Sequence, residues 1–306
     1  MPKNILIQLD CDPQPSTFDA VVAVDAGADV LLRHGGVTVD NVVSLVHGGM
    51  FTRGGAELAS TAIFIGGSDV TVAEAVAERV RSTFFGPVRL GVLVDPSGAN
   101  TTASAAVVAA GRHVALVPGT AAVCRAVVLG GTGPVGQRVA RLLALKGTHV
   151  TVVSRSRAKA EQVVRRIIDR MPAHQSRLEA VEHHGGCLAG SAIARVISDA
   201  DVIVAAGAAG TTLLDAAGRA AAASARVLID LNAVPPVGIE GIAAGDKARA
   251  EGAAVVYGAL GVGGTKMKIH KAAIGRIFAA NDAFLDAEEL LAIGEELEMG
   301  RESPVR

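Results

Sequence analysis

Short apolar runs, polar loops carrying Gly, Ser or Asp, and segments of helical period follow one another along the chain. That alternation builds parallel α/β structure. Three such units can be read in the first hundred residues. A run at 5–9 leads through Asp10, Cys11, Asp12 and Pro13 to a helix capped by Ser16 or Thr17. A run at 61–65 leads through Gly66, Gly67, Ser68 and Asp69 to a helix ending near Phe85. A run at 88–94 leads through Asp95, Pro96, Ser97, Gly98, Ala99 and Asn100 to an alanine-rich helix after Thr101. Loops leaving the carboxyl ends of parallel strands line the ligand crevice, so these three are expected to face one site.

The stretch 111–120, with Arg112, His113, Pro118 and Gly119, marks the approach to a second domain. Beyond Arg125 the pattern predicts strands at 126–129, 149–153, 201–205, 226–231 and 253–258, with helices at 135–146 and 158–171. The expected fold is therefore α/β with two domains: an N-terminal parallel α/β substrate domain over 1–115 and a Rossmann-type dinucleotide-binding domain over 116–265. Residues 281–298 read as an acidic helix that returns to the first domain or lies at a subunit contact, and the helices of 266–306 are assigned to the first domain. A length of 306 residues suits two domains.

Half of the residues are hydrophobic but only 3% are aromatic, so the core must be built from Ala, Val, Leu and Ile, punctuated by 36 glycines. Twenty-nine basic against thirty acidic residues give a formal net charge of -1, with no long block of either sign. Nothing in that balance points to nucleic acid. The run at 5–9 is too short for a signal peptide, and no apolar stretch reaches the length of a membrane span. A cytoplasmic protein without a membrane partner is expected. Cys11, Cys124 and Cys187 are odd in number and lack CxxC spacing, which argues against a disulfide framework or a zinc cluster. His183 and His184 are adjacent and point in different directions, so no metal is expected.

Gly131-Thr132-Gly133-Pro134-Val135-Gly136 fits G-x-G-x-x-G between an apolar strand and a helix, the context that makes the motif a dinucleotide fingerprint. Gly131 is expected to permit the tight turn, Gly133 to let the backbone approach a pyrophosphate, and Gly136 to pack the helix against the strand. The helix amino end adds N–H donors and positive dipole charge. At the end of the next strand an NAD-specific fold places an acid on the ribose 2′-hydroxyl; this chain has Ser154-Arg155-Ser156-Arg157. A guanidinium flanked by hydroxyls matches a 2′-phosphate, so NADP is expected, with NAD secondary. Alternatively Arg157 and Lys159 are a solvated helix start and Arg155 alone touches the cofactor. After the strand at 201–205, Ala206 and Gly207 leave room for the dinucleotide.

Together with the glycine motif, the segments Asp230-Leu231-Asn232-Ala233-Val234-Pro235-Pro236 and Gly258-Ala259-Leu260-Gly261-Val262-Gly263-Gly264-Thr265-Lys266-Met267-Lys268 resemble the bacterial methylene-tetrahydromethanopterin dehydrogenases of methylotrophs. So do Phe51-Thr52-Arg53-Gly54-Gly55, Ser60-Thr61-Ala62-Ile63-Phe64 and Asp95 to Thr102, and the likeness spans essentially the whole chain. It implies a cleft between two domains, NADP or NAD as hydride acceptor, and oxidation of methylene- to methenyl-tetrahydromethanopterin in one-carbon metabolism. It also suggests a homo-oligomer, with a trimer or a hexamer as options. Asp95-Pro96-Ser97 departs from the family pattern and leaves the pterin open between tetrahydromethanopterin and tetrahydrofolate.

Loss of hydride from a carbon between two pterin nitrogens leaves a cation shared across N–C–N, so no acid-base constellation is expected, and none stands out. Lys266 and Lys268 are expected in the first turn of a helix capped by Thr265, where positive charge opposes the dipole unless a ligand answers it. Lys266 is the position that the resemblance brings to the active cleft. Asp19, Asp95, Asn100, Thr101 and Thr102 are the candidates for the pterin edge, whose paired N–H groups need oxygen acceptors. Each has a plain alternative as a helix cap, first-turn acid or turn residue. Arg53 is a candidate for an acidic substrate tail, or a surface partner of Glu57. Asn232 is placed to restrain the nicotinamide, or to brace its loop. The rival readings are a methylene-tetrahydrofolate or shikimate-like dehydrogenase, and an NADPH-binding regulator without turnover.

Overall fold

In the computed structural model, which describes residues 2–116, 123–184 and 192–302, the first stretch of chain forms β1 (Ile5–Asp10), α1 (Thr17–Asp25), β2 (Val30–His34), α2 (Val42–Met50), β3 (Thr61–Gly66), α3 (Val70–Thr83), β4 (Gly91–Val94) and α4 (Ala99–Gly111). There follow β5 (Arg125–Leu129), α5 (Pro134–Leu145), β6 (His149–Ser154), α6 (Arg157–Arg170), β7 (Leu178–Glu182), α7 (Ala192–Ser198), β8 (Val202–Ala205), α8 (Ala216–Ala221) and β9 (Val227–Asp230). The chain ends with β10 (Arg249–Glu251), β11 (Ala254–Tyr257), α9 (Ala259–Ala279), β12 (Phe284–Leu285) and α10 (Ala287–Glu302). Cys187 and the Pro118-Gly119 part of the expected approach segment lie outside the described residues.

The chain divides into Met1–Thr101 with Met267–Arg306, and Thr102–Lys266. Both divisions fall inside helices, α4 and α9. The first lies ahead of the expected position at 115, since α4 runs on without a loop to mark it.

The first unit carries a parallel sheet ordered β12-β4-β3-β1-β2. Alternate strand residues Ile7, Leu9, Ile63, Ile65, Val92 and Val94 bury one face against Val42, Val46 and Met50 of α2 and Ala73, Val76 and Val80 of α3. Asp69 starts α3 by accepting the amides of Thr71 and Val72, the capping expected of an acid at a helix amino end. On the other face His270 of α9 is fully buried and stacks on Phe64 with ring centroids 5.8 Å apart. The chain reverses direction across the sheet between β1 and β3, so the crevice lies outside their carboxyl ends.

The second unit carries a sheet ordered β10-β11-β9-β8-β5-β6-β7, parallel except for β10. Its reversal falls between β5 and β8. Leu129, Val153, Ala205 and Leu228 from the strands pack with Ile193, Ile197, Leu214 and Ile239. No helix among the described residues is long and apolar enough to cross a membrane.

Several elements depart from the sequence expectation. β2 and β7 are edge strands without a clean apolar run, and Leu178-Glu179-Ala180-Val181-Glu182 alternates too weakly to be read as a strand. The third strand is shorter than 88–94, because Val88 turns back to bridge Phe85. α4 begins at Ala99 rather than after Thr101, and α9 begins at Ala259 rather than at 265. The glycines that suggested a loop before Lys266 are inside α9, and Gly261 is there because a Cβ would run into the Asp246 carbonyl.

This gives a paired expectation. Gly263 has open space where its Cβ would stand, so Gly263→Ala should raise stability by up to about 1 kcal/mol through helix propensity alone. Gly261→Ala should instead destabilise by about 1–3 kcal/mol through overpacking. Chemical denaturation of both variants checks the pair; shifts of the same sign would contradict the seating of α9 against the 243–246 turn.

Candidate functional site

At the reversal between β5 and β8 a cavity of about 490 Å³ opens along the carboxyl ends of the strands. Gly130 turns the chain out of β5 with a φ of +69°, and a Cβ there would stand 2.6 Å from Gly207 Cα after β8. The tight turn expected of Gly131 thus belongs to Gly130. Gly131 lies behind the cavity lining, where its amide donates to Val153 O at 2.9 Å and a Cβ would press on Val152 Cγ1 at 2.8 Å. Gly136 brings α5 against the turn, with no room for a Cβ beside Gly130 O at 2.7 Å. Gly133 precedes α5 without a side-chain cap and Pro134 opens it. The first-turn amides of Val135 and Gly136 therefore meet no capping side chain, and the positive end of the helix dipole faces the cavity that Thr132, Gly133 and Pro134 line. Neither Val135 nor Gly136 is among the residues that line the cavity.

β6 and α6 form the next wall. Ser154 is nearly buried; its Oγ accepts the Ser156 amide and stands 3.3 Å from Thr132 Oγ1. Ser156 caps α6 by accepting the Lys159 amide at 3.4 Å. Arg155 and Lys159 both line the cavity, whereas Arg157 does not: its Nε donates to Glu161 Oε1 at 2.8 Å. Arg157, expected with Arg155 beside the cofactor, stands off the cavity wall in an exposed ion pair. His183 and His184, set aside in the sequence as unlikely metal ligands, also line this wall, where the His183 amide extends the ladder to Ser154 O at 2.9 Å. Burial, reinforced by His184, holds the His183 imidazole below its ordinary pKa. No Asp or Glu is among the residues lining the cavity. Among the described residues no group of three or more His, Cys, Asp and Glu is placed to hold a metal.

The third wall follows β8. Ala206 and Gly207 line it as expected, joined by Ala208, Thr211, Thr212 and Leu213. Thr211, Thr212 and Leu213 went unread because hydroxyl and apolar residues beyond such a loop carry no distinctive signal. Asn232 lies elsewhere: its Nδ2 donates to Pro236 O at 3.2 Å and its Oδ1 accepts the Val234 amide at 3.0 Å, bracing the loop around the cis Pro235-Pro236 bond. Asp230 anchors the same loop by accepting the amides of Asn232 and Ile239, and burial raises its pKa. A separate cavity of about 390 Å³ lies at the amino ends of β5, β6 and β7, away from the glycine turn.

In the first unit the three expected loops are tied together. The Cys11 amide donates to Gly66 O, the Asp95 amide to Ile65 O, and Ser68 Oγ to Asp12 Oδ1 at 2.7 Å. The Cys11 thiol is pushed up to about 11 by burial first and then by Asp10, Asp12 and Asp69, so it is no nucleophile near neutral pH. Asp95, Asn100 and Thr101 are fully buried. Asp95 accepts the amides of Asn100 and Thr101 and, at 2.6 Å, Thr101 Oγ1; Asn100 Nδ2 donates to Val94 O and to Asp286 Oδ1. These side chains frame the loop. Ser97, exposed and held at a φ of 53°, is the residue that this frame presents.

Arg53 is at the other end of the sheet. Its Nη1 donates to Lys3 O, Ser60 O and Thr61 Oγ1, all at the amino ends of β1 and β3, away from the three loops. Asp19 sits half-buried in the first turn of α1 with its amide on Ser16 Oγ, and Thr102 sits half-buried in α4. Lys266 is half-buried and Lys268 exposed, both well inside α9. Thr265 is no cap; it accepts from Arg112 Nη2 at 2.9 Å. The dipole argument for the two lysines therefore falls, because the field fades beyond the first turn.

The family model of the N-terminal region of methylene-tetrahydromethanopterin dehydrogenase matches residues 17–97, and that of the NAD dependent epimerase/dehydratase family matches residues 126–242. A bifunctional protein, MdtA, from Methylorubrum extorquens is 40% identical over 297 residues, covering 97% of this chain and 100% of the relative. An NAD(P)-dependent methylenetetrahydromethanopterin dehydrogenase from the same organism is 35% identical over 270 residues, covering 87% and 89%. Among solved structures, quinate dehydrogenase from Corynebacterium glutamicum in complex with NAD aligns with a TM-score of 0.52 at 15% identity, covering 96% of this chain and 100% of that one. That last likeness is one of fold.

Asp95→Asn tests the framing role. The amide presents only one acceptor oxygen where the carboxylate serves three donors, and the expected loss is about 2 kcal/mol of unfolding free energy, read from the denaturation midpoint. An unchanged midpoint would mean that the carboxylate is not needed by its loop.

Proposed function

The chain belongs to the methylene-tetrahydromethanopterin dehydrogenase family, and on that premise we propose that it moves a hydride from methylene-tetrahydromethanopterin to NADP, with NAD as a secondary acceptor, leaving methenyl-tetrahydromethanopterin. The cofactor half of this reading is carried by one observation: a glycine-turned groove with an uncapped helix amino end, two cations and no acid along its lining. The residues fit the dinucleotide, since the turn at Gly130 leaves no place for a side chain and Gly133 and Gly207 keep the adjoining backbone bare where a pyrophosphate lies close.

When bound, the nicotinamide supplies the hydride acceptor. The first-turn amides of Val135 and Gly136, with Gly133, hold the pyrophosphate. Thr132 and Ser154 offer hydroxyls beside it, and Arg155 holds the 2′-phosphate. Ala206 and Gly207 keep the nicotinamide half close to backbone. No proton has to move, so the protein's work is alignment and the exclusion of water.

For the substrate we keep the loops at 10–13, 66–69 and 95–100 as the docking region, with Asp19 and Thr102 as candidate contacts and Lys266 as the candidate catalytic residue. Lys268 is the weaker candidate because it is exposed on α9. Assembly as a homo-oligomer in the cytoplasm is part of the same proposal.

Reduction of NADP and of NAD by methylene-tetrahydromethanopterin and by methylene-tetrahydrofolate, followed side by side through the absorbance of the reduced nicotinamide, tests the reading. The highest kcat/KM is expected with the methanopterin and NADP. Faster turnover of the folate would reassign the pterin, and no reduction with either carrier would leave a binding protein without turnover. Lys266→Ala should lower kcat sharply while calorimetric affinity for NADP stays near the parent value; an undiminished kcat would remove the lysine from the reaction.

A further inference from the structure

The second cavity of the Thr102–Lys266 unit, at the amino ends of β5, β6 and β7, is lined quite differently from the dinucleotide groove. Arg125 pairs in register with His149, and Arg177 stands one step ahead of Leu178, the partner of Val150. Arg125, His149 and Arg177 therefore form one row across three neighbouring parallel strands. Two residues on, Val127, Thr151 and Glu179 form the next row on the same face. α7 and the residue after it add Arg195, Val196 and Asp199 to the lining. Three guanidiniums thus border a space of about 390 Å³. The fold neutralises them only loosely. Asp199 Oδ2 stands 3.8 Å from Arg125 Nη1 and 3.9 Å from Arg195 Nε, one oxygen shared by two cations in the open, where such pairs contribute little. Glu179 is engaged by the Thr151 hydroxyl. Arg177 meets no carboxylate within ion-pair distance among the described residues; its Nη1 lies 2.7 Å from His174 Nδ1, a nitrogen that brings no negative charge. Basic side chains set side by side across strands work against a sheet, so the fold alone does not account for the row.

We propose that this cavity is a second binding site, separate from the dinucleotide groove, and that it takes a small organic phosphate. Neighbouring strands lie about 4.8 Å apart, so Arg125 and Arg177 are rooted about 10 Å from each other, a span that two long side chains close around one oxyanion. A phosphate monoester carries close to two negative charges and three acceptor oxygens near neutral pH. Arg177 engages two of those oxygens through its planar fork, and Arg125 and Arg195, which Asp199 holds near each other, answer the remaining oxygen and charge. The space is larger than a bare ion needs and falls within the range of small-ligand pockets. Val127 and Val196 offer the organic part of the ligand an apolar surface. The inference does not depend on which pterin or which dinucleotide the enzyme uses.

The test is calorimetric titration of the full-length protein with glycerol 3-phosphate and ribose 5-phosphate, with inorganic phosphate and succinate as comparators. It is run on the parent, Arg177→Ala, Arg177→Lys and Arg155→Ala, with circular dichroism as the check on folding. The parent is expected to bind at least one of the two organic phosphates at one site per chain, more tightly than either comparator. Arg177→Ala should weaken that binding about tenfold or more, the value of one charge-assisted hydrogen bond, and leave affinity for NADP at the parent value. Arg177→Lys, which keeps the charge without the fork, should fall between the two. Arg155→Ala should bind the organic phosphate as the parent does. No saturable binding of either organic phosphate at millimolar concentration would overturn the proposal, as would tighter binding of succinate. Binding lost in Arg155→Ala but kept in Arg177→Ala would also overturn it, by placing the phosphate in the dinucleotide groove.

Discussion

Two backbone turns that touch at the carboxyl ends of β5 and β8 constrain the whole second unit. Gly130 leaves β5 in a left-handed turn so close to Gly207 that no side chain fits between them. Because the chain reverses across the sheet at this pair, the two connections part in opposite directions and a crevice opens above the contact. α5 must start within that crevice, and Gly136 lets it start close to the turn. The uncapped amides are then aimed at the crevice by geometry, without help from any charged side chain.

Hydrogen-bond accounting separates frame from ligand-facing groups better than residue type does. Buried polar groups in folded chains are almost always paired, and Asp95, Asn100, Asp230, Asn232 and Arg53 all follow that rule with backbone or loop partners. Asp95, Asn100, Asn232 and Arg53 look like binding residues in the sequence, where only their chemistry and local context are visible. Arg155 and Lys159 are the opposite case, cations at a cavity wall with no acid opposite them.

The sequence made the α/β class and the cofactor half legible because both rest on local patterns: an apolar run, glycines at fixed spacing, then an amphipathic helix. Edge strands β2 and β7 were not legible, since half-exposed strands lose the apolar signal. The start of α9 was misread because Gly261 answers a contact from the distant 243–246 turn, and a glycine kept for close approach looks the same in sequence as one kept for a loop. For the same reason the turn glycine was placed one residue late. The direction in which Arg157 and Lys159 diverge depends on Glu161 and Val163, and the i, i+4 spacing that sets it was present in the chain but went unused.

The two units apply one topology to opposite charges. In both, a reversal in strand order places loops at the carboxyl ends of adjacent parallel strands. The first unit's loops carry Asp10, Asp69 and Asp95, whose oxygens accept the amides of their own loops and helix starts, and Asp12, which bridges to Ser68 of the next loop. The second unit's turns after β5 and β8 are held by glycine contacts instead, which frees that groove of carboxylates and leaves its helix dipoles and two cations unopposed. A dinucleotide rich in phosphate needs a groove of the second kind. Had acids braced the second crevice as they brace the first, the same fold would repel the cofactor that its glycine turn is shaped to hold.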